Sequence, residues 1–285
     1  MNTILSLSNV SKSHKKSNFK IDDITFSIQP NKIIGFIGKN GAGKSTTIKT
    51  ILGGLKKDSG QINFLDKNIE TTFPYSKEEI GVVFDDLKIP HELNAEKINS
   101  VFKNIYSNWN EKDYFSYIEQ FNLPLKRNVG DFSRGMSMKI SLTIALSHNP
   151  KLLILDEATA GLDPAGREEM LEILEDFANR NDNSILMSSH ITSDIENLAT
   201  DLIFIKDGKI ILNSEKTEFI NQYTVIKGDR TLLDNVKEED IIAVKQSKDY
   251  FEVVIKNKYN YKSINSNSNV SIDDISKVLM RGDLK

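Results

Sequence analysis

The pattern of apolar and polar positions predicts strands at both ends of an α/β domain. Ile4–Val10 and Ile24–Ile28 alternate apolar with polar residues, as half-buried strands do. Further short runs, largely apolar, also predict strands: Ile33–Ile37, Ile80–Phe84, Lys151–Leu155 and Ser184–Ser188. The run at 151–155 is of the kind found in buried parallel sheets. Asp201–Leu212 predicts a hairpin that turns at Asp207-Gly208.

Between about Leu87 and Pro150 the period of the pattern changes to that of amphipathic helices. The apolar faces of three helices are Ile98, Val101, Phe102, Ile105 and Tyr106; Tyr114, Tyr117, Ile118 and Phe121; and Met136, Ile140, Thr143 and Ile144. We expect the aromatic residues Trp109, Tyr114 and Phe115 to belong to a core. The segment is therefore predicted to be an all-helical insertion, after which the α/β pattern resumes.

The last part of the chain has a different character. It predicts a hairpin at Ile241–Val244 with Phe251–Ile255 and a helix at Ser271–Met280. We therefore divide the chain into a main domain, 1–213, with its helical part at about 87–150, and an accessory α+β domain, 214–285. The pattern leaves open whether the accessory domain dimerises, regulates or only stabilises the main one.

Composition narrows the classes of function. The 285 residues have room for two domains, and a net charge of −3 argues against a constitutive nucleic-acid-binding protein, which needs a basic face. The absence of cysteine excludes disulfides and thiolate metal sites, so the cytoplasm is a natural location. The start of the chain does not resemble a signal peptide, and the longest apolar runs are strand-sized. We therefore expect any membrane span to belong to another chain.

A complete G-x-x-x-x-G-K-[ST] phosphate loop, Gly38–Ser45, lies between the predicted strand at 33–37 and a predicted helix at 46–52. In such a loop the backbone N–H groups and the positive end of the helix dipole face phosphate oxygens. The residues predicted to bind nucleotide are Gly38, Asn40, Gly41, Ala42, Gly43, Lys44, Ser45 and Thr46. Lys44, expected to face solvent, reaches the β- and γ-phosphates, and the Ser45 hydroxyl ligates Mg²⁺. The chain is predicted to bind a nucleoside triphosphate.

Two adjacent carboxylates, Asp156 and Glu157, follow the apolar run Leu152–Leu155. Ligands of parallel sheets bind at the carboxyl ends of the strands, which places both groups beside the phosphate loop. Asp156 is predicted to hold Mg²⁺ through water, and Glu157 to polarise an attacking water as general base. A solvated loop also carries acidic residues, but the phosphate loop favours the catalytic interpretation.

Two further motifs, Ala158–Pro164 and Ser188-Ser189-His190, resemble those of the ATP-binding cassette (ABC) ATPases. The resemblance covers about 4–220. It implies a P-loop NTPase of ABC type, with a mixed sheet core, an antiparallel β subdomain and a helical insertion. It also implies that Asp163 belongs to a loop that contacts the opposite protomer, and that His190 hydrogen-bonds the γ-phosphate.

Phe132–Met136 stands where this family carries its L-S-G-G-Q signature. The segment departs from it at three of five positions but keeps Ser133 and Gly135. A hydroxyl and a bare backbone at a helix N-terminus suit a γ-phosphate. In this family they act on ATP held by the other subunit. The segment is similar to the S-[RK]-G-M variants of bacterial exporters.

Two other positions depart from the family pattern. Asp85 replaces the glutamine expected after the strand at 80–84, and its carboxylate can still reach Mg²⁺ or a bound water, although it cannot donate as an amide does. The aromatic residue that stacks on adenine is expected near His14. Phe19 is the alternative.

The resemblance implies an ATP-hydrolysing subunit of a bacterial ABC transporter that uses ATP and Mg²⁺. It implies two partners, a second cassette in a homodimer or heterodimer and a separate transmembrane permease, and no nucleic acid. The expected location is cytoplasmic, on the inner face of the cell membrane. Residues after Asp85 and the helical insertion are the implied docking face. The S-R-G-M segment resembles cassettes that export antimicrobial or other amphipathic peptides, but the cargo itself cannot be read from this chain.

Other classes of function are weighed against this one. A soluble ABC ATPase acting on DNA or ribosomes is disfavoured because Gly38 and Ser133 are not separated by a long coiled coil and the chain holds one cassette. A kinase or GTPase is disfavoured because no N-K-x-D base-reading motif is present. A regulator that senses ATP without hydrolysing it is disfavoured because both Glu157 and His190 are present.

Overall fold

The computed structural model describes residues 3–13, 19–72, 75–180, 182–189, 192–229, 231–246, 250–261 and 270–285. The strands are β1 (Leu5–Ser13), β2 (Lys20–Ile28), β3 (Ile33–Ile37), β4 (Ser59–Phe64), β5 (Lys67–Asn68), β6 (Ile80–Val83), β7 (Leu152–Asp156), β8 (Ser184–Ser188), β9 (Asp201–Lys206), β10 (Lys209–Glu215), β11 (Thr224–Gly228), β12 (Ile241–Gln246), β13 (Phe251–Ile255) and β14 (Asp283–Leu284). The helices are α1 (Lys44–Ile51), α2 (Ile69–Thr72), α3 (Tyr75–Glu78), α4 (Ala95–Phe102), α5 (Glu111–Gln120), α6 (Arg134–Ser147), α7 (Pro164–Ala178), α8 (Thr192–Leu198), α9 (Lys216–Gln222), α10 (Thr231–Asp234) and α11 (Ile272–Arg281).

The central sheet has the strand order β10-β9-β3-β8-β7-β6. Strands β9, β3, β8, β7 and β6 run parallel to one another, whereas β10 pairs antiparallel with β9. Parallel strands end at the same edge of a sheet, so the segments that follow β3, β6, β7 and β8 converge there. These segments begin at Gly38, Phe84, Glu157 and Ser189. The sheet topology therefore brings distant parts of the sequence to one edge.

Two additions flank this sheet. An antiparallel sheet, with the order β2-β1-β4-β5, packs its apolar face on one side of the central sheet. The shared core contains Leu7 and Ile24 of the antiparallel sheet, Ile48 of α1, and residues of β3 and β7. Between β6 and β7 the chain, described throughout, contains helices α4, α5 and α6 and a short 3₁₀ turn but no strand. The mixed sheet, the antiparallel subdomain and the helical insertion confirm the predicted fold class.

The predicted hairpin is confirmed, and its geometry explains the sequence at the turn. Strands β9 and β10 are antiparallel and are joined by Asp207 (φ 48°) and Gly208 (φ 77°). Two consecutive residues with positive φ define a type I′ turn, whose twist matches that of the flanking strands. Asp-Gly is a favoured sequence for this turn.

The first predicted helix of the insertion is shorter than expected. Helix α4 ends at Phe102, so Ile105 and Tyr106 lie beyond it, and Val101 and Ile105 are 40% and 59% exposed. The prediction of one continuous apolar face was therefore wrong at these positions. The chain leaves the helix and the Tyr106 ring stacks on His148, with 4.1 Å between ring centroids. At Ile105 and Tyr106, tertiary packing rather than the helical periodicity of the sequence determines the backbone structure.

The expectation for the aromatic residues of this insertion is confirmed. Tyr114 is fully buried and its hydroxyl donates to the carbonyl oxygen of Ala95 at 2.9 Å. Trp109 and Phe115 are partly buried against the same core, and the Trp109 indole donates to Asn99 Oδ1 at 2.8 Å. These aromatic residues therefore stabilise the insertion.

The C-terminal segment forms a third, antiparallel sheet, with the order β11-β13-β12-β14, and helix α11. One small buried cluster, with Ile226, Val253 and Ile255, lies wholly within this segment, whereas the apolar face of α11 joins a core of the main domain. Ile275 and Leu279 of α11 belong to one buried cluster with Ile195 of α8 and Phe204 of β9. The expected boundary after Asn213 falls inside β10, the edge strand of the central sheet. The C-terminal segment is thus packed directly on the nucleotide-binding part of the fold.

Candidate nucleotide-binding site

The phosphate loop connects a fully buried strand to the N-terminus of a helix. All five residues of β3 are buried, and the chain then turns at Gly43, whose φ of 120° disfavours any residue with a side chain, into α1. No side chain caps the first turn of α1. The first N–H groups of a helix have no partner within it, so these groups and the positive end of the helix dipole are available to an anion. The local geometry is that of a phosphate-binding site.

Lys44 is held inside this loop. Its Nζ donates to the carbonyl oxygens of Gly38 at 2.6 Å and Lys39 at 3.3 Å, and lies 3.5 Å from Glu157 Oε1. The side chain is only 5% exposed. The expectation that Lys44 faces solvent was therefore wrong. The extended loop places carbonyl oxygens within reach of the ammonium, and the carboxylate compensates its charge.

The double carboxylate is held by one serine of the neighbouring strand. Ser188 Oγ donates to Asp156 Oδ1 at 2.7 Å. The backbone N–H of Glu157 in turn donates to the carbonyl oxygen of Ser188 at 3.1 Å and to its Oγ at 3.2 Å. Glu157 itself has a φ of 58°, a conformation that costs a non-glycine residue about 1 kcal/mol. These bonds fix the turn at Glu157 and place the Glu157 side chain beside Lys44.

A cavity of about 620 Å³ lies at this edge of the sheet. Its wall is formed by Phe19, Lys39, Asn40, Gly41, Gly43, Lys44, Ser45, Thr46, Asp85, Arg134, Glu157 and Ala160. Cavities of 300–1,000 Å³ are typical of small-ligand sites. Most of the predicted nucleotide-binding residues are thus brought together around one space. Gly38 and Ala42 belong to the same loop, and both are buried behind this wall.

Phe19 and Arg134 line the cavity but come from outside the loops at the sheet edge. Phe19 lines the cavity just before β2, whereas His14, the other candidate for the adenine base, lies outside the described residues. Arg134, a residue of the signature segment, was not predicted to line the site. Its side chain lies against Gly161, where an added Cβ would come within 2.8 Å of Arg134 Cδ. Arg134 replaces a glycine of the L-S-G-G-Q signature, and this replacement was the signal in the sequence that could have identified it.

The three residues that the resemblance assigns to nucleotide held by the other subunit, or to contact with it, lie away from the cavity wall. Ser133 caps α6, accepting from the N–H of Met136 at 3.2 Å, and Asp163 caps α7, accepting from the N–H of Gly166 at 3.2 Å. Gly135 lies in the first turn of α6. Both capping side chains are exposed. His190, the remaining predicted catalytic residue, lies outside the described residues.

The oxygen donors at the cavity wall fit a magnesium ion. Ser45, Asp85 and Glu157 supply a hydroxyl and two carboxylates, and Mg²⁺ prefers hard oxygen ligands. Asp156 is not among the lining residues, and its Oδ1 accepts from Ser188. Within the described ranges, no group of three or more His, Asp or Glu side chains holds a metal by itself. Such a donor set suits Mg²⁺ that completes its coordination with substrate phosphates and water.

None of the helices in the described part of the chain combines the length and the apolar character that crossing a bilayer requires.

Comparison with known proteins identifies several similar chains. The sequence model of the family described as "ABC transporter" matches residues 21–160. The bacitracin transport ATP-binding protein BcrA of Bacillus licheniformis is 35% identical over 217 residues, which cover 74% of this chain and 69% of that protein. The lantibiotic transport ATP-binding protein SrtF of Streptococcus pyogenes is 35% identical over 214 residues, covering 74% and 91%. A solved structure of an "ATP binding subunit of ABC transporter" superimposes with a TM-score of 0.71 at 25% identity, covering 77% of this chain and 92% of that one.

Proposed function

Because the chain belongs to the ATP-binding proteins of ABC transporters, an ATPase family, we propose that it hydrolyses ATP in the 620 Å³ cavity to drive a separate membrane permease. The observation that carries this proposal is the convergence of Lys44 and Glu157, 3.5 Å apart, on the phosphate loop. The pair places a phosphate-binding cation and a proton acceptor at the same point.

The chemistry follows from these side chains. Loop N–H groups and Lys44 bind the phosphates, and a phosphate that attracts Lys44 weakens its pairing with Glu157. The released carboxylate accepts a proton from water as the water oxygen bonds to the γ-phosphorus and the bond to the leaving ADP oxygen breaks. Ser45, Asp85 and, through water, Asp156 would hold Mg²⁺, which neutralises developing phosphate charge when bound. We assign His190 to the γ-phosphate and Phe19 or His14 to the adenine base.

We propose that the complete site includes a second cassette. Ser133 and Gly135 present a capping hydroxyl and a bare backbone at the start of α6, and Asp163 occupies the same position at α7. All three lie off the cavity wall of their own chain. This placement supports a role on nucleotide held by the partner, either an identical chain or a related cassette.

The docking face for the permease is proposed from the family resemblance. The main domain, 1–213, is proposed to dock on the permease at the inner face of the membrane, through the residues after Asp85 and the helical part at about 87–150. The accessory part, 214–285, contains α11, which packs on the main domain. No nucleic-acid partner is proposed, because the net charge is −3.

The cargo is proposed to be an antimicrobial peptide that is exported. Both relatives named above carry names that assign them to the transport of such compounds, bacitracin and a lantibiotic. The S-R-G-M variant at Ser133–Met136 supports the same class.

The test replaces the chromosomal gene with an allele encoding Glu157→Gln and compares growth in bacitracin and in a lantibiotic. Since the variant chain is still made, a lower inhibitory concentration for either peptide, restored by the wild-type gene, supports peptide export. Unchanged resistance to both peptides, with ATP hydrolysis lost in the purified variant, would show that the cargo belongs to another class.

A further inference from the structure

The C-terminal helix α11 is bonded to the first turn of α8. Thr192 Oγ1 donates to Asp273 Oδ1 at 2.6 Å, and the N–H of Asp273 donates to Glu196 Oε1 at 3.3 Å. Thr192 is the first residue of α8 and stands two positions after His190 in the sequence. The tail of the chain thus contacts the element that directly follows the predicted γ-phosphate residue.

Helix α8 is also in direct contact with the strand that leads to the phosphate loop. An added Cβ on Gly35 of β3 would lie 2.4 Å from Ile195 Cγ2, and Ile195 is fully buried. On its other side α8 approaches α7, where Arg167 Nε lies 4.0 Å from the buried Asp194 Oδ1. Helix α8 therefore contacts both the strand that precedes the phosphate loop and the helix that begins at Pro164.

Helix α11 is fixed firmly enough to act as a support. Ser271 and Asp274 form a reciprocal capping box at its start. At its end, Lys206 Nζ donates to the carbonyl oxygens of Leu279 at 3.1 Å and Gly282 at 2.5 Å. The helix also contributes Ile275 to the core that it shares with the central sheet. Its ends and its apolar face are thus all anchored.

A second cavity, of about 500 Å³, lies between α11 and the phosphate loop. Gly38, Lys39 and Asn40 line one side, Ser189 and Thr192 another, and Asp273, Ser276, Lys277, Met280 and Arg281 the third. The Asp273–Thr192 bond is at the boundary of this space. Because the first turn of α8 borders this open space, packing does not fix it on that side. The Thr192–Asp273 bond therefore restrains this turn.

We propose that Asp273 is a positioning residue for ATP hydrolysis: through Thr192 it holds the start of α8, which follows the predicted γ-phosphate residue His190 by two positions in the sequence. The inference rests on the proposed role of His190. A net hydrogen-bond contribution of about 1 kcal/mol corresponds to roughly fivefold in a rate, and misplacement of a catalytic group costs more. The turnover number is expected to fall about 5- to 20-fold without the bond.

The experiment compares full-length Thr192→Val, Asp273→Ala and Asp273→Asn with wild type. Valine removes the hydroxyl donor while keeping the shape, and alanine removes the acceptor. Asparagine keeps an oxygen acceptor for Thr192 but, like alanine, loses the ion pair of Asp273 with Lys277. Lys277→Ala, at an exposed site, is a control that removes this ion pair alone.

We expect kcat to fall in Thr192→Val and Asp273→Ala, and no further in the double variant, because both remove the same bond. Asp273→Asn and Lys277→Ala should stay within twofold of wild type. The dissociation constant for ATP should change less than twofold throughout, because Lys44 and the loop are untouched. A loss of stability alone would instead lower Tm without changing kcat of the folded protein.

Wild-type kcat in folded Thr192→Val and Asp273→Ala would overturn the proposal, as would equal losses in Asp273→Asn and Asp273→Ala. Neither result touches the proposed function, which is judged separately by hydrolysis in wild type and its loss in Glu157→Gln.

Discussion

Lys44 Nζ and Glu157 Oε1 lie 3.5 Å apart, so the cation of the phosphate loop and the carboxylate that follows β7 compensate each other's charge inside the fold. The two residues are brought together because β3 and β7 both pair with β8 and end at the same edge of the sheet. A phosphate that enters this cavity must compete with Glu157 for Lys44. Binding of substrate and release of the base are therefore linked.

Lys44→Ala is expected to weaken ATP binding by about tenfold or more, because a charge-assisted hydrogen bond contributes roughly 1.5–3 kcal/mol. Calorimetric titration with ATP measures the effect. Lys49→Ala, an exposed lysine of the same helix, is the matched control and should bind as wild type does. Equal affinity for Lys44→Ala and Lys49→Ala would mean that the loop does not bind phosphate through Lys44.

The free energy of unfolding should fall in mild acid because of His148. Burial lowers the pKa of His148 to about 4, and its Nδ1 lies 2.9 Å from the carbonyl oxygen of Glu78. Between about pH 6.5 and pH 4 the unfolded chain binds a proton that the folded chain does not, so stability is lost as pH falls through this window. The contribution is at most about 3 kcal/mol.

Urea unfolding at pH 7 and pH 5 tests this prediction. His148→Gln cannot titrate, so its stability should depend less on pH than that of wild type. The exposed His91 provides the control, and His91→Gln should retain the full dependence. If His148→Gln and His91→Gln show the same dependence as wild type, burial of His148 is not its cause.

Removal of the chain after Glu215 is expected to lower Tm and to expose apolar surface. The cut keeps β10 whole but uncovers Ile37, Ile195 and Phe204, which are buried in the core shared with α11. Differential scanning fluorimetry and binding of a hydrophobic dye measure both effects. An unchanged Tm without dye binding would show that the C-terminal segment is an independent unit.

Local patterns predicted much of the fold because they need no distant partner. The strand at 33–37, the loop and the helix after it are contiguous, and Asp207-Gly208 specifies its own turn. By contrast, the apolar face of α11 indicates that the helix packs on something, but not that its partners are Ile195 and Phe204, far away in the chain. Strands β4 and β11 were missed because short, half-polar segments have weak periodicity.

The candidate site divides in the same way. Its residue types follow from spacing, whereas their environment depends on tertiary contacts. Burial of Lys44 requires Glu157 from another strand, and Ser188 acquires its bond to Asp156 through sheet pairing. Arg134 reaches the cavity only because α6 begins beside Gly161. The roles assigned to Ser133, Asp163 and the other motif residues remain predictions.

Uncleaved ATP should hold two chains together if Ser133 and Gly135 act on nucleotide bound by a partner. Glu157→Gln, analysed by size-exclusion chromatography, is expected to elute as a dimer with MgATP and as a monomer with ADP. Ser133→Ala in the same background removes the hydroxyl and should favour the monomer. A Glu157→Gln variant that binds ATP yet stays monomeric would point to a different cassette as the partner.

The most direct test of the account measures ATP hydrolysis and ATP affinity side by side in wild type and Glu157→Gln. Glutamine keeps the size of the side chain but cannot take a proton from water at neutral pH. The account predicts that wild type hydrolyses MgATP, that the variant is slower by about 10²-fold or more, and that its ATP affinity is retained. Hydrolysis by Glu157→Gln at the wild-type rate would contradict the assignment of Glu157 as the base.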